Sequence, residues 1–166
     1  MNKNIVLGLG KIQSAFINPY SACNNNCTYC AIGDTNNLPY KINSSSLRHH
    51  TEKMVEFIED IYEELEDNCQ FIFLGGEPLI AWHSWLIPLI KKLNSINPNF
   101  TYRLSTNGNL LTSDKYYDIE KYKIDLNISL DGPKYVHNLN RKLISGVGNF
   151  DLVYNNMLKL PLSLSN

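Results

Sequence analysis

Three cysteines lie close together near the N-terminus, at Cys23, Cys27 and Cys30, with the spacing Cys-x3-Cys-x2-Cys. A fourth, Cys69, is well separated from them in sequence. In a reducing compartment, clustered cysteines indicate a metal or redox site rather than a disulfide framework. Thiolates are soft ligands that suit both iron and zinc.

The number of clustered thiols bears on which metal the loop would hold. Structural zinc takes four protein ligands, and the fourth here would have to be Cys69, His49 or His50. A [4Fe–4S] cluster also has four iron corners, which cysteine normally fills. Three cysteines on one loop would leave one iron open to a substrate or cofactor. The spacing favours an iron–sulfur cluster and keeps zinc as the alternative.

The remainder of the chain alternates predicted strands and helices in four pairs. The predicted strands are Ile12–Asn18, Gln70–Leu74, Phe100–Ser105 and Ile124–Leu130. The predicted helices are Leu47–Glu66, Ser84–Leu93, Ser113–Lys121 and Phe150–Leu160. This α/β alternation predicts a parallel sheet with right-handed crossovers. The clustered cysteines directly follow the first predicted strand.

The residue pattern of the last two strands indicates what the sheet encloses. Apolar residues alternate with polar ones, and the apolar set is Phe100, Tyr102, Leu104, Leu126, Ile128 and Leu130. This set would pack on helices, while polar residues such as Ser129 and Asp131 would face the other way. A packed barrel interior would carry Val, Ile and Leu, so we predict a cavity for a polar ligand. A sheet with one solvated face is the alternative.

Composition excludes several classes of protein. The 166 residues suit one domain, or one domain and a fragment. Fifteen Lys and Arg against 16 Asp and Glu give a net charge of −1, so the basic footprint of a nucleic-acid or anionic-membrane binder is absent. No apolar run approaches the roughly 20 residues of a membrane span, and Ile5–Leu9 is too short for a secretory signal. We expect a soluble cytoplasmic protein.

Three motifs, each at the end of a predicted strand, resemble those of one known family. Residues 23–30 (CNNNCTYC) look like the cluster motif of the radical S-adenosylmethionine (SAM) superfamily, including an aromatic residue, Tyr29, before the third cysteine. Residues 75–78 (GGEP) resemble the motif that follows the superfamily's second strand. Residues 128–141 are similar to the peptide- and protein-modifying branch, typified by anaerobic sulfatase-maturating enzymes and SPASM-type peptide maturases. Beyond these three motifs, residues 105–108 (STNG) fit the same branch.

The resemblance implies a fold and a reaction. The fold would be a partial (β/α) barrel of the radical SAM type, with about four β-α units where the family's core usually has six. Residues 1–166 would form one radical SAM core domain, incomplete at the C-terminus. The implied cofactors are a [4Fe–4S] cluster and SAM, whose reductive cleavage yields a 5′-deoxyadenosyl radical. The implied partners are a peptide or protein substrate and reduced flavodoxin or ferredoxin as electron donor.

The resemblance also implies which residues hold the iron and the methionine part of SAM. The expected iron ligands are Cys23, Cys27 and Cys30. Gly75 and Gly76 would let the strand end approach the methionine amine, because they lack side chains. Glu77 would support that ammonium group.

Further residues are expected around the other parts of SAM. Tyr29 would lie near the adenine. Ser129, with Asn107 or Asp131 nearby, would hydrogen-bond to the ribose hydroxyls. Arg141 is the candidate partner for the carboxylate, because a guanidinium can bind it through two parallel hydrogen bonds.

The short length leaves alternatives open. The chain could be a fragment, could be completed by a second chain, or could be a naturally short enzyme. One alternative function is an activase that installs a glycyl radical on a partner enzyme. Residues 129–141 argue against this alternative and favour peptide maturation. The other is a non-catalytic iron–sulfur or zinc-binding module.

Overall fold

The fold is organised around four parallel strands. A computed structural model of the protein describes residues 10–33 and 44–161. The strands are β1 (Ile12–Ile17), β2 (Leu65–Phe73), β3 (Thr101–Thr106) and β4 (Ile124–Ile128). They form one sheet in the order β1-β2-β3-β4, and every neighbouring pair is parallel. The predicted α/β class and parallel sheet are confirmed.

Five α-helices connect or follow the strands in the described part of the chain. They are α1 (Ser44–Asp60), α2 (Ile87–Ile96), α3 (Tyr116–Lys121), α4 (Lys134–Asn140) and α5 (Phe150–Leu158). Short 3-10 segments at Tyr62–Glu64, Pro78–Ala81 and Ser113–Lys115, and a π-helical turn at Trp82–Leu86, lie at the joints. Pro88 lies in the first turn of α2, where its missing N–H costs little.

One face of the sheet is buried against the helices. Phe71 and Phe73 of β2 alternate with more exposed residues and stack beside Tyr102 of β3. The Phe73 ring meets that of Trp85 edge to face, with 5.9 Å between centroids. Because side chains of a strand alternate between its two faces, this period of two produces the core.

The opposite face of the sheet is more polar and more exposed. Arg103 of β3 pairs with Asp125 of β4 at 2.7 Å, and both side chains are about half exposed. Phe16 of β1 is on the same face and is 70% exposed. The alternation predicted for the third and fourth strands is therefore observed as far as Ile128. Leu130, which was predicted to pack on helices, lies beyond the end of β4 and is 38% exposed.

The boundary between α1 and β2 differs from the prediction. The helix predicted to reach Glu66 ends at Asp60, and β2 begins at Leu65 rather than at Gln70. Leu65 has the spacing that would continue the apolar face of the predicted helix, but in the structure it is buried as part of β2. The register against β1 shifts between Ile12 and Ser14, so extra residues of β2 bulge there.

The helix α4 was not predicted. Its segment has no clear apolar periodicity, because the residue that it buries is His137 rather than an aliphatic side chain. The preceding Pro133 ends a turn in an extended conformation and leads directly into the first helical residue.

Cys69 has the position of a core residue. It is 0% exposed and shares the helix-covered face of β2 with Phe71 and Phe73. No helix among the described residues is both long enough and apolar enough to cross a membrane.

Candidate metal and cofactor site

The carboxyl ends of β2, β3 and β4 and the cysteine-bearing loop that follows β1 surround one pocket. The three clustered cysteines line it together with six other residues of the predicted site, Tyr29, Gly75, Gly76, Asn107, Ser129 and Arg141. The pocket also includes Asn25, Leu74, Ser105 and Thr106. Segments far apart in sequence thus meet where ligands bind in parallel α/β sheets.

The end of β2 holds one side of the cysteine-bearing loop. Two backbone hydrogen bonds join them, from Gly76 N to Tyr20 O at 3.1 Å and from Glu77 N to Ala22 O at 2.9 Å. A Cβ on Gly76 would lie 2.1 Å from Ala22 O, and one on Gly75 would lie 2.8 Å from Tyr20 O. Only residues without side chains permit this approach, and Gly75 also has φ +131°.

The last residue of α4 and the segment after it, residues 140–144, hold the other side of the loop. The backbone N–H of Asn26 donates to Lys142 O at 2.8 Å, and that of Thr28 donates to Asn140 O at 2.9 Å. The loop is therefore paired on both sides through its backbone. This pairing leaves the side chains of the cysteines to face the pocket.

Glu77 lies beside the pocket but does not line it. Its carboxylate is 0% exposed and accepts hydrogen bonds from Thr106 Oγ1 at 2.7 Å, Asn107 N at 2.7 Å and Leu79 N at 3.0 Å. Burial raises the pKa of this carboxyl, and the three donors oppose the rise. In this structure Glu77 ties the end of β2 to the end of β3, and its carboxylate is not presented to a ligand.

Amide groups face two of the thiols. Asn25 N lies 3.4 Å and Asn107 Nδ2 lies 3.7 Å from Cys23 Sγ, and Asn25 Nδ2 lies 3.9 Å from Cys27 Sγ. Burial raises the pKa of both thiols, and these donors oppose the rise, as does the charge of Arg141 at Cys27. Such donors favour the thiolate, which is the form that ligates metals.

The lining of the pocket bears on the kind of metal centre. Three thiols, those of Cys23, Cys27 and Cys30, line it, and cysteine thiolates are the usual ligands of [4Fe–4S] clusters. None of the candidates for a fourth zinc ligand, Cys69, His49 and His50, lines the pocket. The donor set fits a cluster.

Tyr29, Asp131 and Arg141 form a charged group at the pocket. Arg141 Nε donates to Asp131 Oδ1 at 2.8 Å, and Tyr29 Oη donates to Asp131 Oδ2 at 2.5 Å. The guanidinium carbon lies 5.4 Å from the centre of the Tyr29 ring. A guanidinium has five N–H donors, and the bond through Nε uses one of them. Asp131, which was expected near the ribose, holds the other two side chains.

The contacts within this group shift two of its pKa values. Partial burial alone would raise the pKa of Asp131, but the hydrogen bonds from Tyr29 and Arg141 lower it. Burial and the hydrogen bond to Asp131 raise the pKa of Tyr29 to about 12. Asp131 is therefore charged, and Tyr29 protonated, near neutral pH.

Sequence reasoning missed several buried asparagines and the contact of His137. Asn25, Asn109 and Asn149 are buried, and Asn109 is hydrogen-bonded to both of the others. Asn149 also bonds to His137. A signal was present for Asn109, because it follows the turn at Asn107 and Gly108. No such signal was present for Asn149, since it lies outside every motif.

A comparison with protein families identifies the architecture. Residues 17–161 match the radical SAM superfamily. The chain belongs to this superfamily. The predicted resemblance is confirmed, and so is the partial barrel, because solved structures of similar sequence superpose on it.

Relatives show how much of a longer protein the match covers. The chain is 33% identical over 148 residues to the cysteine-type anaerobic sulfatase-maturating enzyme of Clostridium perfringens strain 13, covering 84% of this chain and 38% of that enzyme. It is 30% identical over 155 residues to the enzyme of the same name from Clostridium novyi, covering 89% and 40%. The chain spans about two fifths of the length of these relatives.

Solved structures of similar sequence match the same fraction of a longer chain. Native anSMEcpe with bound AdoMet superposes with a TM-score of 0.66 at 32% identity, covering 86% of this chain and 39% of that one. The same protein with AdoMet and the Kp18Cys peptide gives a TM-score of 0.65 at 31% identity, covering 86% and 38%.

We predict that Gly76→Ala loosens the cysteine-bearing loop. The new Cβ must displace the Ala22 carbonyl, which directly precedes Cys23. Alkylation of Cys23 in the metal-free protein, followed by mass spectrometry, should become severalfold faster. The matched control is Gly146→Ala, where a Cβ meets nothing within 4 Å and the cost is the left-handed backbone alone, about 1–2 kcal/mol. Equal acceleration in both variants would contradict the close approach.

A second prediction concerns acid stability. The pKa of Asp131 is lower in the folded than in the unfolded state, so its stabilisation is present above the unfolded value of about 4 and is lost as pH falls through the folded value. Urea denaturation should show a larger difference in unfolding free energy between wild type and Asp131→Asn at about pH 7 than at about pH 3. The control is Asp151→Asn, which breaks an exposed pair with Lys134 and should change little. A difference that grows towards low pH would overturn the assignment.

Proposed function

We propose that this chain binds a [4Fe–4S] cluster through Cys23, Cys27 and Cys30 and binds SAM at the iron that they leave open. One observation carries the proposal: three thiols from a single loop surround one pocket at the carboxyl edge of a radical SAM sheet. When bound, the reduced cluster supplies the electron that cleaves SAM to methionine and a 5′-deoxyadenosyl radical. The residues of the protein would bind and orient the cofactors and exclude water from the site.

The glycine strand end would receive the methionine part of SAM. Gly75 and Gly76 line the pocket through their backbone, so no side chain stands between the strand end and a ligand. Glu77 supports this end indirectly, because its buried carboxylate anchors Asn107 N and Thr106 Oγ1. We assign Glu77 a positioning role and leave the contact with the ammonium group to the strand end.

The polar rim would receive the rest of SAM. Arg141 is held in place by Asp131 and would bind the carboxylate through its remaining N–H groups. Ser129 and Asn107 line the pocket and are our candidates for the ribose hydroxyls. Tyr29 is half exposed beside Arg141 and would cover the adenine.

The substrate proposed is a peptide or protein. The support comes from the relatives, which are named as sulfatase-maturating enzymes, and from anSMEcpe, which was solved with Kp18Cys and Cp18Cys peptides. A low-potential donor such as reduced flavodoxin or ferredoxin would supply the electron. This chemistry needs reduced thiols, so we propose a cytoplasmic location.

We further propose that residues 1–166 act as part of one radical SAM core domain. The described residues supply four β-α units, and the sheet face that carries Arg103 and Asp125 is partly exposed. A radical needs exclusion of water, which further units would supply, either from a longer form of this chain or from a second chain. We therefore expect weak turnover from residues 1–166 alone.

The direct test is anaerobic reconstitution with iron and sulfide. We expect about four iron and four sulfide per chain, with a brown colour. Cys27→Ala should lose them, whereas Cys69→Ala should keep them, because Cys69 is buried in the core away from the pocket. With SAM and a strong reductant, the loaded protein should form 5′-deoxyadenosine above a cluster-free control. A colourless protein, or loss of iron in both variants, contradicts the proposal.

A further inference from the structure

Four buried polar side chains form a continuous line from α4 to the cysteine-bearing loop. They are His137, Asn149, Asn109 and Asn25, and each is at most 5% exposed. His137 Nε2 lies 2.9 Å from Asn149 Oδ1, Asn149 Nδ2 lies 2.7 Å from Asn109 Oδ1, and Asn109 Nδ2 lies 2.6 Å from Asn25 Oδ1. Burying so many polar groups is costly unless each is paired. We call this line the relay.

The direction of the relay is fixed at its far end. The backbone N–H of Asp131 can only donate, and it lies 3.3 Å from His137 Nδ1. Nδ1 must therefore accept, so the ring proton is on Nε2. Nε2–H then donates to the oxygen of Asn149, which turns the NH2 of Asn149 towards Asn109. The same argument fixes the orientation of the Asn109 amide, whose oxygen accepts from Asn149 and whose NH2 donates to Asn25.

The near end of the relay faces the thiols. Because Asn25 Oδ1 accepts from Asn109, its Nδ2 points towards Cys27 Sγ, 3.9 Å away. Asn25 N lies 3.4 Å from Cys23 Sγ. If the relay were broken, the Asn25 amide could rotate and present its oxygen to a thiolate instead.

A side branch of the relay reaches the sulfur of Cys23. Asn109 N donates to Asn107 Oδ1 at 3.0 Å, and Asn107 Nδ2 lies 3.7 Å from Cys23 Sγ. The loop that holds Asn109 thus orients donors towards both Cys23 and Cys27. The ring of His137 itself bonds to Asp131 N and Asn149 Oδ1.

We propose that His137 is a positioning residue that acts through the relay to set the reduction potential of the cluster. The inference rests on the proposed function, because it requires that Cys23, Cys27 and Cys30 hold a cluster. Hydrogen bonds to the ligating sulfurs stabilise the reduced cluster, which carries the additional negative charge, and therefore raise its potential. His137 determines which end of the Asn25 amide faces the sulfur.

The test uses two substitutions of His137 in the reconstituted protein. His137→Leu removes both hydrogen bonds, whereas His137→Gln keeps an N–H donor for Asn149. Redox titration followed by electron paramagnetic resonance (EPR) should show that His137→Leu lowers the ratio of reduced to oxidised cluster about tenfold at a fixed potential, which is 59 mV for one electron. His137→Gln should restore most of the loss. An unchanged potential in His137→Leu overturns the relay.

A double substitution separates the relay from general loosening. Once Asn109→Leu has cut the line, His137→Leu should cause no further shift of potential, whereas independent effects would add. The control is Asn97→Leu. Asn97 is equally buried, but its amide bonds to Asp67, outside the relay. Additive shifts, or the same shift in the control, would show that the effect is not transmitted through Asn109.

Failure of the relay and failure of the proposed function give different results. In the cluster-free protein, hydrogen exchange of the side-chain amides of Asn25 and Asn109 should be slow in wild type and His137→Gln and fast in His137→Leu. If wild type takes up no cluster, the proposed function and the role in reduction are both overturned, whatever the exchange shows. If it takes up a cluster and exchange is fast in wild type, the relay alone is overturned.

Discussion

The close approach of two backbones is the constraint on which the rest of the site depends. Where β2 ends, the chain passes so near residues 20–22 that Gly76 has no room for a Cβ. This contact sets the loop that carries Cys23 against the edge of the sheet. The next residue, Glu77, links this point to the end of β3, because its buried carboxylate accepts hydrogen bonds from Thr106 and Asn107. One contact thereby couples three segments that are remote in sequence.

The site is built from buried polar groups rather than from aliphatic packing. Glu77 and the asparagines of the relay are removed from water, and each forms several hydrogen bonds inside the protein. Such groups are costly to bury but have few acceptable arrangements, because every donor needs an acceptor. A pocket lined in this way holds its thiols and its Arg141 in defined orientations. This is the property that the radical reaction proposed for this site would demand from the protein.

Much of the fold and the location of the pocket could be predicted from the sequence, because they depend on local patterns. Alternation in β3 and the motifs at three strand ends are visible in short windows. The start of β2 at Leu65 was missed, since Leu65 also fits a helical face and only pairing with β1 decides between the two. The relay was missed because Asn25, Asn109 and Asn149 carry no periodicity, and only the tertiary fold brings them together.

The central claim is that the trio of thiols leaves one iron vacant for SAM. The most direct measurement is the EPR spectrum of the reduced, reconstituted protein with and without SAM labelled with ¹⁵N in its amino group. The account predicts that SAM changes the cluster signal and that hyperfine coupling to the labelled nitrogen appears. A cluster signal that is indifferent to SAM, with no coupling to the label, would contradict it.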